Sequence, residues 1–294
     1  ADDPAILVGD SSVRLLGTDK RSGLALYDLS GAERAFLASG RVNNVDALHQ
    51  EENRFLAAAS NRTEISLDLY AVDAESIELV ARKHLELAEP YGLCMGQTPE
   101  MSVFVGDKEG RIEHWVVNDS LRLELRHQYQ LQGQTEGCVF DPIDGTLYVG
   151  EEERGIWAFD LEAGTRRLLA AVDRFNLVMD VEGLDIYHST GAAEGGRYLV
   201  ASSQGDNSYL IYAIPSGQQL LKFRIVDDAN SGIDGAEETD GLAVTAAALP
   251  GYPAGILVVQ DGANLPARQN FKGVDWRKIQ TLLPRANGQQ EKPR

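Results

Sequence analysis

The sequence predicts an all-β fold, a six-bladed β-propeller, on two observations. The first is an aromatic strand residue that returns every forty-odd positions: Tyr27, Tyr70, Trp115, Trp157 and Tyr212, at spacings of 43, 45, 42 and 55 residues. A period in the forties is the length of one four-stranded blade, and a chain of 294 residues holds about six. The second is a short acidic or amide motif ahead of the aromatic in each repeat. These motifs are Asn43-Asn44-Val45-Asp46, Tyr91-Gly92, Thr135-Glu136-Gly137, Asp180-Val181-Glu182-Gly183 and Thr239-Asp240-Gly241. Radial repetition places equivalent positions on one ring, so these motifs should converge on one mouth.

Between the marks lie short apolar runs that read as strands, at 55–59, 102–105, 146–149, 197–201 and 255–259. Gly, Asp, Asn or Pro bounds each of them, as hairpin turns require. The stretch 77–87 has some helical period, but its aliphatic content also fits an outer strand. A β-sandwich would space strands as evenly; the fixed aromatic in each repeat favours the propeller. The whole chain, 1–294, reads as one propeller with a short or incomplete first blade, and residues 283–294, polar and Pro-bearing, are expected to fray.

With 43% hydrophobic residues the chain can bury a substantial core. No run of 18 apolar residues occurs, so no spanning helix is expected. The opening Ala1-Asp2-Asp3-Pro4 fits a mature secreted or periplasmic protein, and a cytosolic chain equally. Cys94 and Cys138 follow Gly92-Leu93 and Gly137 in neighbouring repeats. They read first as buried free thiols, with a disulfide as the alternative.

The net charge of −18 argues against nucleic acid and anionic membranes as partners. Scattered surface carboxylates need no further reason than solubility. Clustered ones do: 151–153, Asp180 with Glu182, and Glu237-Glu238 with Asp240 would repel one another if gathered without cations. Hard oxygen ligands in number are what Ca²⁺ takes, so a carboxylate ring predicts several calcium ions. A few cations share these loops: Lys20-Arg21, Arg62 and Lys108. Alone each reads as a turn residue; beside an acidic ring they suit a polyphosphate, held by Arg and Lys while Ca²⁺ neutralises the rest. No phosphate-cradling Gly-rich loop, Gly-x-Ser-x-Gly elbow or His-x-x-x-His pair occurs, so any phosphate hydrolysis would use metal-activated water.

The chain resembles the β-propeller phytases, calcium-dependent phosphatases of inositol hexakisphosphate. The resemblance is carried, in order, by 2–6 (Asp-Asp-Pro-Ala-Ile), 17–24 (Gly-Thr-Asp-Lys-Arg-Ser-Gly-Leu), 43–46, 57–62 (Ala-Ala-Ala-Ser-Asn-Arg), Tyr91-Gly92 and 106–110 (Gly-Asp-Lys-Glu-Gly). It continues through 134–137 (Gln-Thr-Glu-Gly), 151–157, 180–184, 201–205 (Ala-Ser-Ser-Gln-Gly), 238–241, 259–262 and 269–272. It implies two adjacent phosphate subsites at the top of a six-bladed propeller, one for cleavage and one for affinity. It implies that Glu109, Glu136, Glu151, Asp180, Glu182 and Gln204 hold the catalytic calciums or their waters. Lys20 or Arg21, Arg62, Tyr91 and Lys108 would hold phosphate. Asn44, Asp46, Asp3, Asp240 and Asp261 would hold further calciums. The substrate would be phytate as its calcium complex, acted on by a monomer or by one domain of a tandem chain.

Three departures bear on this expectation. Leu7 stands where the family has Trp, the first repeat is short between Ile6 and Leu15, and Leu48 stands where the family has Arg. They motivate a second reading, an accessory propeller that binds calcium–phytate or a partner domain with little turnover. A third reading is a lactonase-type propeller hydrolase, in which Arg62 and Lys108 would have no task.

Overall fold

The computed structural model describes residues 1–97, 99–189, 196–264 and 266–284. Six antiparallel sheets follow one another along the chain, at 4–38, 42–84, 90–130, 135–171, 181–223 and 242–275. In each, neighbouring strands are consecutive in sequence. The innermost strands, Pro4–Val8, Val42–Glu51, Pro90–Gln97, Thr135–Asp141, Val181–His188 and Leu242–Thr245, pack against one another in that order, and the first meets the last. The architecture is a closed six-bladed β-propeller. All but the first two residues of the expected 283–294 segment lie outside the described residues.

The aromatic period marks one strand of each blade. Tyr27, Tyr70, Trp115, Trp157 and Tyr212 all lie on third strands, and each sits at a β-bulge against the fourth. The apolar runs are the second strands, shielded on both faces by the blades beside them; in Arg54–Asn61 every residue after the first is buried. The ambiguous 77–87 stretch is an outer strand, Ile77–His84. The expectation of an incomplete first blade is corrected: Pro4 already pairs with Gly17, and that blade has all four strands. Among the described residues three strands are found in the sixth blade, where Val274 takes the register position of Tyr70.

The ring is closed by blade one as a unit. Gly241 N–H donates to the Asp2 carbonyl at 3.3 Å on one side, and Val45 N–H donates to Asp3 Oδ2 at 2.9 Å on the other. The second bond is one of a set. Asp46 Oδ2 accepts from Met95 N–H (2.8 Å) and Asp185 Oδ2 from Val244 N–H (2.6 Å), so in each case a carboxylate clasps the inner strand of the next blade. All three carboxylates line an axial cavity of about 100 Å³. Burial pushes Asp46 up to about 6 and Asp185 up to about 7.

Between blades three and four a covalent bond does this work. Cys94 takes the register position of Asp46 and Asp185, and it is bonded to Cys138 across a Cα–Cα distance of 5.6 Å. The expectation of free thiols is therefore corrected. The two residues sit one place out of register in their own blades, so sequence alignment of the repeats does not bring them together. Inner strands of adjacent blades do. Closing a loop of 44 residues stabilises the fold by about 4 kcal/mol in the chain-entropy account. The double variant Cys94→Ser, Cys138→Ser is expected to melt roughly 5–10 °C lower by calorimetry. An unchanged melting temperature would show that the bridge adds nothing to the hydrogen-bonded ring.

Candidate active site

Each motif of the repeat is a bulge at the start of an inner strand. Asn43-Asn44 stand opposite Ser60 alone, Tyr91-Gly92 opposite Gly106, Glu136-Gly137 opposite Gly150, and Glu182-Gly183 opposite Ser202. Asp2-Asp3 and Asp240-Gly241 fall at the same place, just ahead of the paired strands of blades one and six. Such bulges re-aim side chains, and they gather at functional sites. The first residue of each pair forms the ring: Asp2, Asn43, Tyr91, Glu136, Glu182 and Asp240, one from each blade.

In four of the six pairs the second residue is glycine, for a reason visible in the packing. A Cβ at Gly92 would lie 1.9 Å from the Glu136 carbonyl oxygen, and one at Gly137 would lie 2.0 Å from that of Glu182. The next blade's ring residue presses directly on it. Glycine is what allows the ring to be this narrow.

Across the ring the side chains meet. Asn43 Nδ2 donates to Glu136 Oε1 at 3.0 Å, spanning the mouth from blade two to blade four. Carboxylate oxygens of Glu136, Glu152 and Glu182 all lie within 4.8 Å of one another. Opposite them, Lys20 Nζ lies 2.7 Å from Asp2 and 3.1 Å from Asp240. Gln204 donates its side-chain amide to Asp240, and its backbone N–H to the Asp180 carbonyl at 3.0 Å.

The electrostatics follow from this crowding. Burial, and then the nearby Glu136 charge, hold Glu182 well above the usual carboxylate range. The same two causes, with Asp180 behind them, push Glu152 up to about 7. Burial raises Asp2 strongly, with Lys20 working against the shift. Asp180 is raised by burial and by Glu153. For Lys20 burial works against the charge, but Asp2, Glu136 and Asp240 outweigh it and keep the ammonium firmly protonated. Burial, then Glu136, raises Tyr91, so its hydroxyl stays neutral. Among the described residues, Glu182 Oε2 and both oxygens of Asp2 are buried without a hydrogen-bond donor; the 2.7 Å approach of Lys20 to Asp2 is an ion pair outside hydrogen-bonding geometry. This donor set is oxygen-rich, anionic and short of protein hydrogen bonds, which fits a hard divalent cation.

The cations lie to one side. The Arg62 guanidinium stands 5.5 Å from the Tyr91 ring centre and the Lys108 ammonium 4.7 Å from it. Arg62 also leans on the Lys20 carbonyl at 3.5 Å. Tyr91 thus carries two cations against its ring while it feels the charge of Glu136, so a basic group adjoins the acidic cluster at one mouth.

Several expected residues are placed elsewhere. Arg21 is exposed on its turn, where only its N–H is used, by Asp19. Glu109 is exposed beside Lys108. Glu151 is buried in its blade: Oε1 accepts from the N–H groups of Gln132 (2.9 Å) and Gly133 (2.7 Å), and Oε2 from Trp157 Nε1 (2.8 Å). Asp46 spends both oxygens on the Ala47 and Met95 N–H groups, and Asp3 is part of the same clasp. Asn44 Oδ1 accepts from Asn43. Asp261 already has a cation, Lys272 Nζ at 3.3 Å.

Glu152, Asp2, Asn43, Arg41 and Glu89 also stand at the mouth; Glu152 and Asn43 lie within motifs expected there, but none of the five was singled out as a metal ligand or phosphate holder. Glu152 follows Glu151, and the two point to opposite sides of the strand end. Replacing each by glutamine separates their roles. Glu151→Gln turns an amide toward three donors and is expected to cost about 2–4 kcal/mol of stability, read as an earlier midpoint in urea. Glu152→Gln is expected to leave that midpoint in place or raise it, while turnover is lost. Equal effects of the two on turnover per folded molecule would contradict the assignment.

Comparisons with known proteins agree with this geometry. A sequence model of the family described as Phytase matches residues 1–291. A 3-phytase of Bacillus subtilis (strain 168) is 36% identical over 310 aligned residues, which span 95% of this chain and 80% of that protein. A propeller whose six blades each send one polar group to a common mouth, matched over nearly its whole length, belongs to the phytase family.

Proposed function

We propose that the chain hydrolyses phosphomonoesters of myo-inositol hexakisphosphate in a calcium-dependent reaction at the ring, releasing inorganic phosphate. The observation that carries the reading is the pairing of two opposite environments at one mouth: three carboxylates within 4.8 Å of one another, and Arg62 and Lys108 against the Tyr91 ring. Neither half suits a neutral sugar lactone, and a chain of net charge −18 would repel phytate without cations.

Glu136, Glu152 and Glu182, with Asp180 and Asp240 at the margin, are the residues that would hold calcium. Bound there, calcium supplies Lewis acidity toward the phosphoryl oxygens and a lowered pKa for water. The chain's own groups do the rest. Asn43 fixes the Glu136 carboxylate by donating to one oxygen. Lys20, held between Asp2 and Asp240, presents a positive charge toward the phosphoryl group as its negative charge grows. Arg62 and Lys108 hold a neighbouring phosphate of the same ring and so fix the distance of the attacked one.

The Cys94–Cys138 bridge supports an exported location, since such bonds persist in oxidising compartments. The test is phosphate release from phytate by the purified protein, with added calcium and with chelator. Calcium-dependent release supports the proposal. Phytate binding without release at any calcium level would make the chain an accessory propeller.

A further inference from the structure

We propose that Glu89 is a tethered counter-anion of the basic half of the mouth: it occupies the phosphate-holding cations at rest, and substrate must displace it. The proposal deepens the reading above and rests on it. Glu89 lies two residues before the ring tyrosine. Pro90 follows it and keeps its backbone extended, so the carboxylate is delivered to the rim from a fixed direction.

Three cations from two blades converge on this one side chain. Oε1 lies 3.3 Å from Arg41 Nη2 and 3.6 Å from Arg62 Nη1, and Oε2 lies 3.3 Å from Lys108 Nζ. Two of these three, Arg62 and Lys108, are the cations that flank the Tyr91 ring. A planar monoanion therefore sits where a phosphate would find three positive charges.

The geometry is that of an occupant rather than a brace. Charge-assisted hydrogen bonds close to about 2.7–2.9 Å when a carboxylate is locked in place. The ion pairs that brace this fold do so: Arg82 reaches Asp68 at 2.7 Å, and Arg111 reaches Glu113 at 2.7 Å. Glu89 touches all its partners loosely. Its side chain keeps 28% of its surface exposed, so it can turn out to water without passing through the core. Arg62 meanwhile has a buried Nε with no acceptor among the described residues. A phosphate dianion brings more oxygens and more charge than Glu89 can offer, and it satisfies the same fork better.

The consequence is selectivity. A ligand with one phosphate must displace Glu89 and gains little else. A ligand with several phosphates displaces it with one while the acidic half takes another. Glu89 is thus a specificity-determining residue that weakens single phosphates more than polyphosphates.

The experiment measures KM and kcat for phytate and for phenyl phosphate, and inhibition by inorganic phosphate, in wild type, Glu89→Gln and Glu89→Ala at fixed calcium. Both variants are expected to bind inorganic phosphate about two- to five-fold more tightly, the size of a lost competition among partly exposed charges. KM for phenyl phosphate should fall more than KM for phytate, and each fall should exceed any change in kcat. A KM or inhibition constant that is unchanged or raised in both variants would overturn the proposal; a rise would mean that Glu89 orients the cations instead. Arg62→Ala serves as the control for the site itself. If it leaves KM for phytate untouched, the assignment of the basic half fails, whatever Glu89 does.

Discussion

Glu136→Gln is expected to lower phytate hydrolysis by about 10²–10³-fold at saturating calcium, the loss typical of removing one preorganised charge from a reaction centre. Glutamine keeps the shape of the side chain and an oxygen for Asn43 Nδ2, so the mouth keeps its geometry. What disappears is the charge that Glu152 and Glu182 both feel. The same substitution should therefore ease the crowding in calcium-free protein and raise its melting temperature slightly. Loss of turnover together with gain of apo stability is a signature that a merely structural residue does not give. Turnover equal to wild type at equal calcium would remove Glu136 from the reaction. Turnover recovered fully once calcium is raised above the level that saturates the wild type would confine its role to metal affinity.

The ring was legible in the sequence because it is written as a repeat. A polar residue followed by Gly, just before an apolar run, is the local requirement of a bulge pressed by the next blade, and chain chemistry shows it at Tyr91-Gly92, Glu136-Gly137, Glu182-Gly183 and Asp240-Gly241. The fold was legible for the same reason: the aromatic that fills each third-strand bulge recurs at the blade length. The period falls silent in the sixth blade because Val274 replaces the aromatic there, so blade count rested on length.

What was not legible depends on direction and on distance in space. Three consecutive glutamates give no clue which one leaves the strand, and Glu151 and Glu152 exchange roles on that point alone. Asp2 and Asp3 pose the same question, settled by the register that aligns Asp2 with Asn43. Asp46 and Asp261 have the chemistry of ligands, but backbone N–H groups satisfy the first, while the second accepts from Glu237 N–H and faces the Lys272 ammonium at 3.3 Å. The Cys94–Cys138 bond and the gathering of Arg41, Arg62 and Lys108 on Glu89 join different blades or loops, where no spacing rule applies.

Removing calcium is expected to destabilise the protein more at pH 8 than at pH 5. Glu152 is raised from an ordinary 4.5 to about 7, and Glu182, Asp2 and Asp180 are raised with it. A carboxyl raised in the folded state binds its proton more tightly there than in the unfolded chain. Its contribution to stability is present in full below the unfolded value and is lost as pH rises through the folded value. In chelator the ring should therefore lose stability between about pH 4.5 and 7, as each proton leaves and the carboxylates repel. Glu152 alone contributes about 2 kcal/mol to this slope after allowance for solvent screening. Calcium bound at the ring would take the place of the departing protons and stabilise the native state by mass action, by about 2.7 kcal/mol at a hundredfold excess over its dissociation constant. The gap in melting temperature between calcium and chelator should then widen by roughly 5 °C or more from pH 5 to pH 8. Asp46 and Asp185 add a slope of the same sign, but they clasp backbone N–H groups in the axial cavity. Their share should be common to both conditions, and an Asp185→Asn variant should reduce it. Lys20 does not titrate in this window, because its carboxylate neighbours hold it protonated. Calorimetry in calcium and in chelator across this range decides the matter: a gap that is absent at pH 8, or larger at pH 5, would mean that the clustered carboxylates do not hold the cation.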